Sequence, residues 1–347
     1  MENTVLEIKN LQVSFRVSGK TGRAIRGVDL ALKKGETLAL VGESGSGKSV
    51  LTKTVMGLLP PNAKVEAGEV FYGGRDLTKL KEKELCRVRG SEIAMIFQDP
   101  FSSLNPIMRI GKQITETMRL REKGLSEREA KKRAIALMEE VGIDRAAERF
   151  SRYPFEFSGG MRQRIVIAIA LAGNPKVLIC DEPTTALDVS VQAQILELIN
   201  RLKEERGLSV IFITHDLGVV AGVADTVAVM YAGKIVEYGG LEEIFFEPKH
   251  PYTWALLSSV PDLDTKGELN AIEGVPPDIF SELTGDAFAP RNPYAMKIDF
   301  EKEPPFFKVS DTHYAATWLM HEFAPKTAMP KELKSRITRM KRTEKGK

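Results

Sequence analysis

The sequence predicts an α/β fold built on a mixed, largely parallel sheet, and three observations carry that reading. Between residues 37 and 214, short apolar runs of strand type alternate with longer segments of helical spacing. The glycine-rich octapeptide Gly42-Glu43-Ser44-Gly45-Ser46-Gly47-Lys48-Ser49 joins one such run to one such helical segment. A second apolar run, Val177-Leu178-Ile179-Cys180, ends directly in Asp181-Glu182. Strands separated by helices pair in parallel because the crossover needs the helix, and such a sheet is buried on both faces, so its strands read as unbroken apolar runs.

Taken in order, Leu11, Val13, Phe15 and Val17 and then Val28, Leu30 and Leu32 alternate as half-buried strands do, with residues 19–22 as the turn between them. Residues 37–41 form a short buried strand, followed by a helix over 50–59 that Pro60-Pro61 ends. Residues 100–157 change character: the stretch LSEREAKKRAIALMEEVGI is highly charged yet spaces Ala134, Leu137, Met138 and Val141 along one helical face. This is read as an inserted helical subdomain. A helix from Gly160, the strand at 177–180, a helix in which Ile195, Leu198, Ile199 and Leu202 share a face, and a strand at 210–214 complete the pattern. The predicted domains are a large α/β domain over 1–240, closed by Gly239-Gly240, a small irregular module rich in Pro and aromatics over 241–325, and a basic, mobile tail over 326–347.

Bulk properties exclude several classes. The formal charge is +3, but residues 326–347 hold nine Lys or Arg against Glu332 and Glu344, a local +7 that leaves the rest near −4. A basic nucleic-acid groove in the folded body is therefore not indicated. Cys86 and Cys180 are the only cysteines and lack the spacing of a metal or redox pair, which suits a reducing cytoplasm. The first residues, MENTVLEIKNLQ, lack the cationic start and apolar core of a secretion signal, and the longest apolar run, residues 165–172, falls far short of the ~20 residues of a membrane helix. Any work at a membrane must pass through partner chains.

The octapeptide fits G-x-x-x-x-G-K-[ST] in the strand-to-helix context that a phosphate-binding loop requires. Its glycines let backbone N–H groups converge on phosphate oxygens while the following helix aims its positive end at them. Lys48 would reach the β and γ phosphates and Ser49 would ligate Mg²⁺. At the end of the second strand run, Asp181 suits coordination of Mg²⁺ through water, and Glu182 suits polarising an attacking water. Phe157-Ser158-Gly159-Gly160-Met161-Arg162-Gln163-Arg164 opens a further helix and so supplies a second anion-binding surface. One nucleotide does not need two cradles in one chain, so two subunits are expected to face each other, each closing over the nucleotide held by the other.

These motifs resemble those of ATP-binding-cassette (ABC) ATPases, whose signature is Leu-Ser-Gly-Gly-Gln; Phe157 and Met161 depart from it and Ser158, Gly159 and Gly160 retain it. The resemblance implies that Gln98, in IFQDP, senses Mg²⁺ and the attacking water, that Ala186-Leu187-Asp188 links the two sites, and that His215, in FITHD, contacts the γ phosphate. It also implies that Phe15 stacks on adenine, with apolar strand filler as the alternative, since Phe at an alternating position is ordinary. His215 taken alone more often reads as a core or strand-end histidine, a balance that its register after residues 210–214 and the other motifs reverse.

FQDPFSSLNP, SGGMRQR and the C-terminal HPYT, GDAFAPRNPYA and HYAATWL stretches resemble the ATPase subunits of oligopeptide and dipeptide permeases. That group often carries four cysteines after the cassette that hold an iron–sulfur cluster; Asp286, Asn292, Asp299 and Thr317 stand at the corresponding positions, so no cluster is expected. Phe288, Tyr294, Phe306, Phe307 and Trp318 are expected to hold the module by packing. The resemblance implies an ATPase with ATP and Mg²⁺, peripheral on the cytoplasmic face of the membrane. Its implied partners are a second, nonidentical ATPase, two permease subunits and an extracytoplasmic peptide-binding protein, with no nucleic acid. Two other readings stand beside peptide import: the same machine carrying nickel or another small solute, and a soluble cassette ATPase acting on ribosomes or DNA.

Overall fold

A computed structural model of the chain describes residues 3–185, 187–260 and 272–345, with side chains to residue 341. The chain divides into two compact units: one holds residues 79–213 with Leu32–Thr37 and the first residues of the chain, the other Leu6–Ala31, Leu38–Thr78 and the chain from Thr214 onward. The strands are β1 (Thr4–Val17), β2 (Lys20–Lys33), β3 (Thr37–Val41), β4 (Ala63–Tyr72), β5 (Arg75–Asp76), β6 (Ile93–Ile96), β7 (Val177–Asp181), β8 (Ser209–Thr214), β9 (Thr226–Tyr231), β10 (Lys234–Gly240), β11 (Phe307–Lys308) and β12 (Tyr314–Ala315).

In the first unit β6, β7 and β8 lie side by side and parallel, with Ile93 opposite Val177 and Val177 opposite Ser209. Every residue of the three is buried, which is why they read as continuous apolar runs. The helix Gly159–Leu171 packs on β6 and against the helices Ile110–Arg121, Glu127–Glu140 and Val189–Arg206. It is surrounded, and its sequence is accordingly apolar on nearly every side. Ala134, Leu137, Met138 and Val141 are buried as their spacing predicts, and Ser126 caps their helix by accepting from the Glu129 N–H. Ile195, Leu198, Ile199 and Leu202 likewise form the buried face of Val189–Arg206.

The second unit holds an antiparallel sheet in the order β2-β1-β4-β5, with β1 and β2 joined at Ser18-Gly19, and a mixed sheet in the order β11-β12-β10-β9-β3. Within the latter, β3 and β9 are parallel, and β9, β10, β12 and β11 pair antiparallel. The helix after the phosphate-binding loop is Lys48–Val55, shorter than the predicted 50–59. Gly57 ends it in the left-handed conformation, with its own N–H on Thr54 O and the Leu58 N–H on Lys53 O, before either proline is reached.

The chain after Gly240 belongs to this same unit: β12 pairs with β10, and Tyr252, Trp254, Phe288, Leu333 and Ile337 share one core with Val227, Val229 and Tyr231. Two expectations for this region are corrected. Phe306 is 52% exposed and does not pack the module, whereas Phe288 is buried, Tyr294 meets Trp254 edge-on at 5.5 Å, and Phe307 meets Trp318 at 6.2 Å. The basic segment is not a free tail: it forms the helix Lys331–Lys345, which buries Leu333 and Ile337, while Arg336 donates to the carbonyls of Leu257 and Val260. Among the described residues no helix is long and apolar enough to cross a membrane.

Candidate nucleotide site

The phosphate-binding loop leaves the fully buried strand β3 and turns at once. Gly42 is required by close approach, because a Cβ there would fall on the carbonyl oxygen of Met230, well inside contact distance. The loop ends at Gly47, which caps the helix Lys48–Val55 in a left-handed conformation and offers no side chain to its first N–H groups. Those N–H groups and the helix dipole therefore give the loop its positive character. Lys48 is buried and folds back over the loop, with Nζ donating to Gly42 O at 2.7 Å and Glu43 O at 2.8 Å and lying 3.4 Å from Ser46 Oγ. Gly42, Glu43 and Ser46 of the loop thus gather around a single ammonium. Phe15, on β1 opposite Ala63 of β4, is partly exposed.

A second assembly forms where β7 ends. Asp181 is its last residue and is buried; Glu182 follows with φ 47°, its N–H donating to Ile213 O at 3.0 Å. A non-glycine residue in the left-handed region costs roughly 1–2 kcal/mol, and such strain concentrates at functional positions. The Glu182 Oε2 accepts from Gln98 Nε2 at 2.9 Å and from Thr185 Oγ1 at 3.0 Å. Gln98, two residues beyond β6, and Glu182 are thereby joined. Thr185 was not among the residues singled out from sequence; its signal is the spacing Glu182-x-x-Thr185, which closes a turn whose Thr185 N–H also donates to Glu182 O.

The third assembly is the Ser-Gly-Gly turn. Ser158 caps the helix Gly159–Leu171, its Oγ accepting from the Met161 N–H at 3.5 Å. Gly160 is required by packing: a Cβ there would sit 2.6 Å from Val191 Cγ1. Phe157, at the family's leucine position, is buried, and Met161, at the glutamine position, places its Sδ 3.3 Å from Arg149 Nη1. The neighbouring helix Val189–Arg206 is capped by Asp188, whose Oδ1 accepts from the Val191 N–H at 2.9 Å and Ser190 Oγ at 2.7 Å. Those bonds hold the Asp188 carboxyl below the usual carboxylate range. Ala186 of the linking loop lies outside the described residues. His215, on the turn after β8, is exposed.

Residues 25–185 match the family model described as ABC transporter, and residues 236–298 match that of the oligopeptide/dipeptide transporter C-terminal region. The oligopeptide transport ATP-binding protein OppD of Bacillus subtilis is 58% identical over 342 residues, covering 98% of this chain and 95% of that one. The chain belongs to the family of ABC transporter ATP-binding subunits. Within it, the dipeptide transport ATP-binding protein DppD of Lactococcus lactis is 57% identical over 326 residues, covering 94% and 93% of the two chains. A dimeric ATP-binding cassette solved in a post-hydrolysis state with ADP and Pi matches with a TM-score of 0.62 at 28% identity, covering 68% of this cassette chain and 98% of its own. The cassette is accordingly an ABC-type ATPase with the α/β fold expected of it.

The residues of this cassette do not suit an iron–sulfur cluster at the C-terminal positions where the resemblance raised one. Asp286, Asn292, Asp299 and Thr317 are buried, but each is engaged locally: Asp286 accepts from Phe288 N–H, Asn292 from Tyr294 N–H, Asp299 from Met296 N–H and Thr317 from Leu319 N–H. Oxygen acceptors stand where soft thiolates would be needed. Cys86 is exposed on a helix, and Cys180 lies inside β7 with its thiol pushed up by burial.

Proposed function

We propose that this cassette is the ATP-hydrolysing subunit of an importer for oligopeptides or dipeptides. The observation that carries the reading is the match along 98% of the chain, C-terminal segment included, to an oligopeptide transport ATP-binding protein. In this reading the loop from Gly42 to Ser49 wraps the phosphates, with Lys48 exchanging loop carbonyls for β and γ oxygens and Phe15 stacking on adenine. Glu182 polarises the attacking water, and Gln98, already bonded to Glu182, orients it. His215 contacts the γ phosphate. The oxygen donors Ser49, Asp181 and Gln98 suit a hard divalent cation, and Mg²⁺ bound with the nucleotide would neutralise the phosphate charge.

Ser158, Gly159, Gly160 and Met161, with Asp188 beside them, would close over the nucleotide of a second, nonidentical cassette. Hydrolysis removes the bridging phosphate and lets the two separate. Two membrane-spanning permease subunits and an extracytoplasmic peptide-binding protein complete the assembly, with the cassette peripheral on the cytoplasmic face. Exposed Phe101, Ile107 and Phe155 in and beside the helical insert give it the apolar surface that a permease would cover. The test is purification from detergent-solubilised membranes followed by reconstitution. Two polytopic chains and a second cassette should copurify, and peptide uptake should need ATP; nucleic acid as the only partner would overturn the reading.

A further inference from the structure

Glu43, the first residue after the leading glycine of the phosphate-binding loop, is held at all three of its polar groups. Its carbonyl accepts from Lys48 Nζ at 2.8 Å, its N–H donates to Tyr252 Oη at 2.8 Å, and its carboxylate takes both ends of the Arg291 guanidinium at 2.6 and 2.9 Å. Two of these three partners, Tyr252 and Arg291, come from the chain beyond residue 250, in the module that follows the cassette.

Neither partner is a casual surface contact. The Arg291 side chain is 4% exposed and also donates to Tyr231 Oη at 3.2 Å, Glu273 O at 2.8 Å and Ile272 O at 3.2 Å. Its five donors are therefore spent on a fixed fork that carries no slack, the geometry in which Arg and carboxylate bind most strongly. Tyr252 is fully buried, meets Tyr231 in a tilted arrangement with ring centroids 4.6 Å apart, and is set by the helix start where His250 Nδ1 accepts its N–H at 3.0 Å. Burial pushes the His250 imidazole down to about 3, so this support does not change at neutral pH.

A carboxylate at this point of the loop would repel a triphosphate unless its charge is countered. We infer that Arg291 is a positioning residue of the nucleotide site: it neutralises Glu43 and, with Tyr252, fixes the first turn of the loop from the C-terminal module. The inference rests on the reading of Gly42 to Ser49 as the ATP loop. It gives the module a direct part in nucleotide affinity, where its distance along the chain suggests only an appendage.

The experiment is equilibrium ATP binding to the full-length chain, with Lys48→Ala as the control for the loop itself. Arg291→Ala should weaken ATP binding about tenfold, since it strands a partly desolvated carboxylate. Arg291→Lys should fall between the two, because it keeps charge and loses the fork. The decisive variant is Glu43→Gln combined with Arg291→Ala, which should regain most of the affinity lost by Arg291→Ala alone. General loosening of the module would not be repaired by changing a loop carboxylate, so failure of that rescue overturns the inference, as does unchanged affinity in Arg291→Ala. If Lys48→Ala itself binds ATP normally, it is the underlying loop reading that fails. Tyr252→Phe, which removes one hydroxyl from the same clamp, supplies a second and milder test and should also weaken ATP binding.

Discussion

At the residue scale, the account turns on Glu182. The strand β7 delivers it, a left-handed turn sets it off the strand axis, and Gln98 and Thr185 fix its Oε2. Two neutral donors on one oxygen fix the direction in which this carboxylate faces, as the proposed role of polarising a water requires. Glu182→Gln should retain ATP yet lower turnover by about 10² or more in a phosphate-release assay, and unchanged turnover would assign the base elsewhere. Asp286 makes a different prediction. Burial pushes its carboxyl up to about 6, from an ordinary value near 3.8. A raised acid contributes stability that is complete below its unfolded value and is lost as pH rises through the folded one. The charged form therefore costs stability at pH 8, and Asp286→Asn, which keeps an acceptor for the Phe288 N–H, should gain about 1–3 kcal/mol there and nothing at pH 3.5. Urea unfolding at the two pH values checks it; an equal effect at both would show that charge is not the cause.

Elements show where the sequence was readable and where it was not. Buried strands such as β3, β7 and β8 are apolar end to end and bounded by turns, so their limits were legible to within a residue. The end of the helix Lys48–Val55 was not, because Gly57 closes it before the prolines that look like the stop signal. The C-terminal helix was missed for a related reason. Its apolar stripe is only Leu333, Ile337 and Met340, at i, i+4 and i+7, and the Lys and Arg between them make the composition read as a solvated tail. Trimming Leu333 or Ile337 singly to Ala should cost about 2–5 kcal/mol on the strength of their burial. A thermal melt that leaves the midpoint unmoved would mean the helix adds nothing to the core.

Across the whole molecule, the motifs of the proposed site stand out in the sequence, whereas the distant contact onto its first loop residue does not. Gly42 to Ser49, Gln98, Asp181, Glu182 and Ser158 to Gly160 announce themselves because phosphate and water chemistry confine residue types to short spacings. Arg291 lies 248 residues from the carboxylate it grips, and no local pattern marks it. Membership of the ABC transporter family rests on the whole chain, and the proposal built on it is that neither cassette of a pair completes a catalytic centre alone. The most direct measurement is a structure of the assembled transporter carrying Glu182→Gln with Mg-ATP bound. The account expects Ser158 Oγ and the N–H groups at Gly159 and Gly160 to lie within hydrogen-bond reach of the γ phosphate held by the facing cassette. A closed assembly in which that turn touches no nucleotide would contradict it.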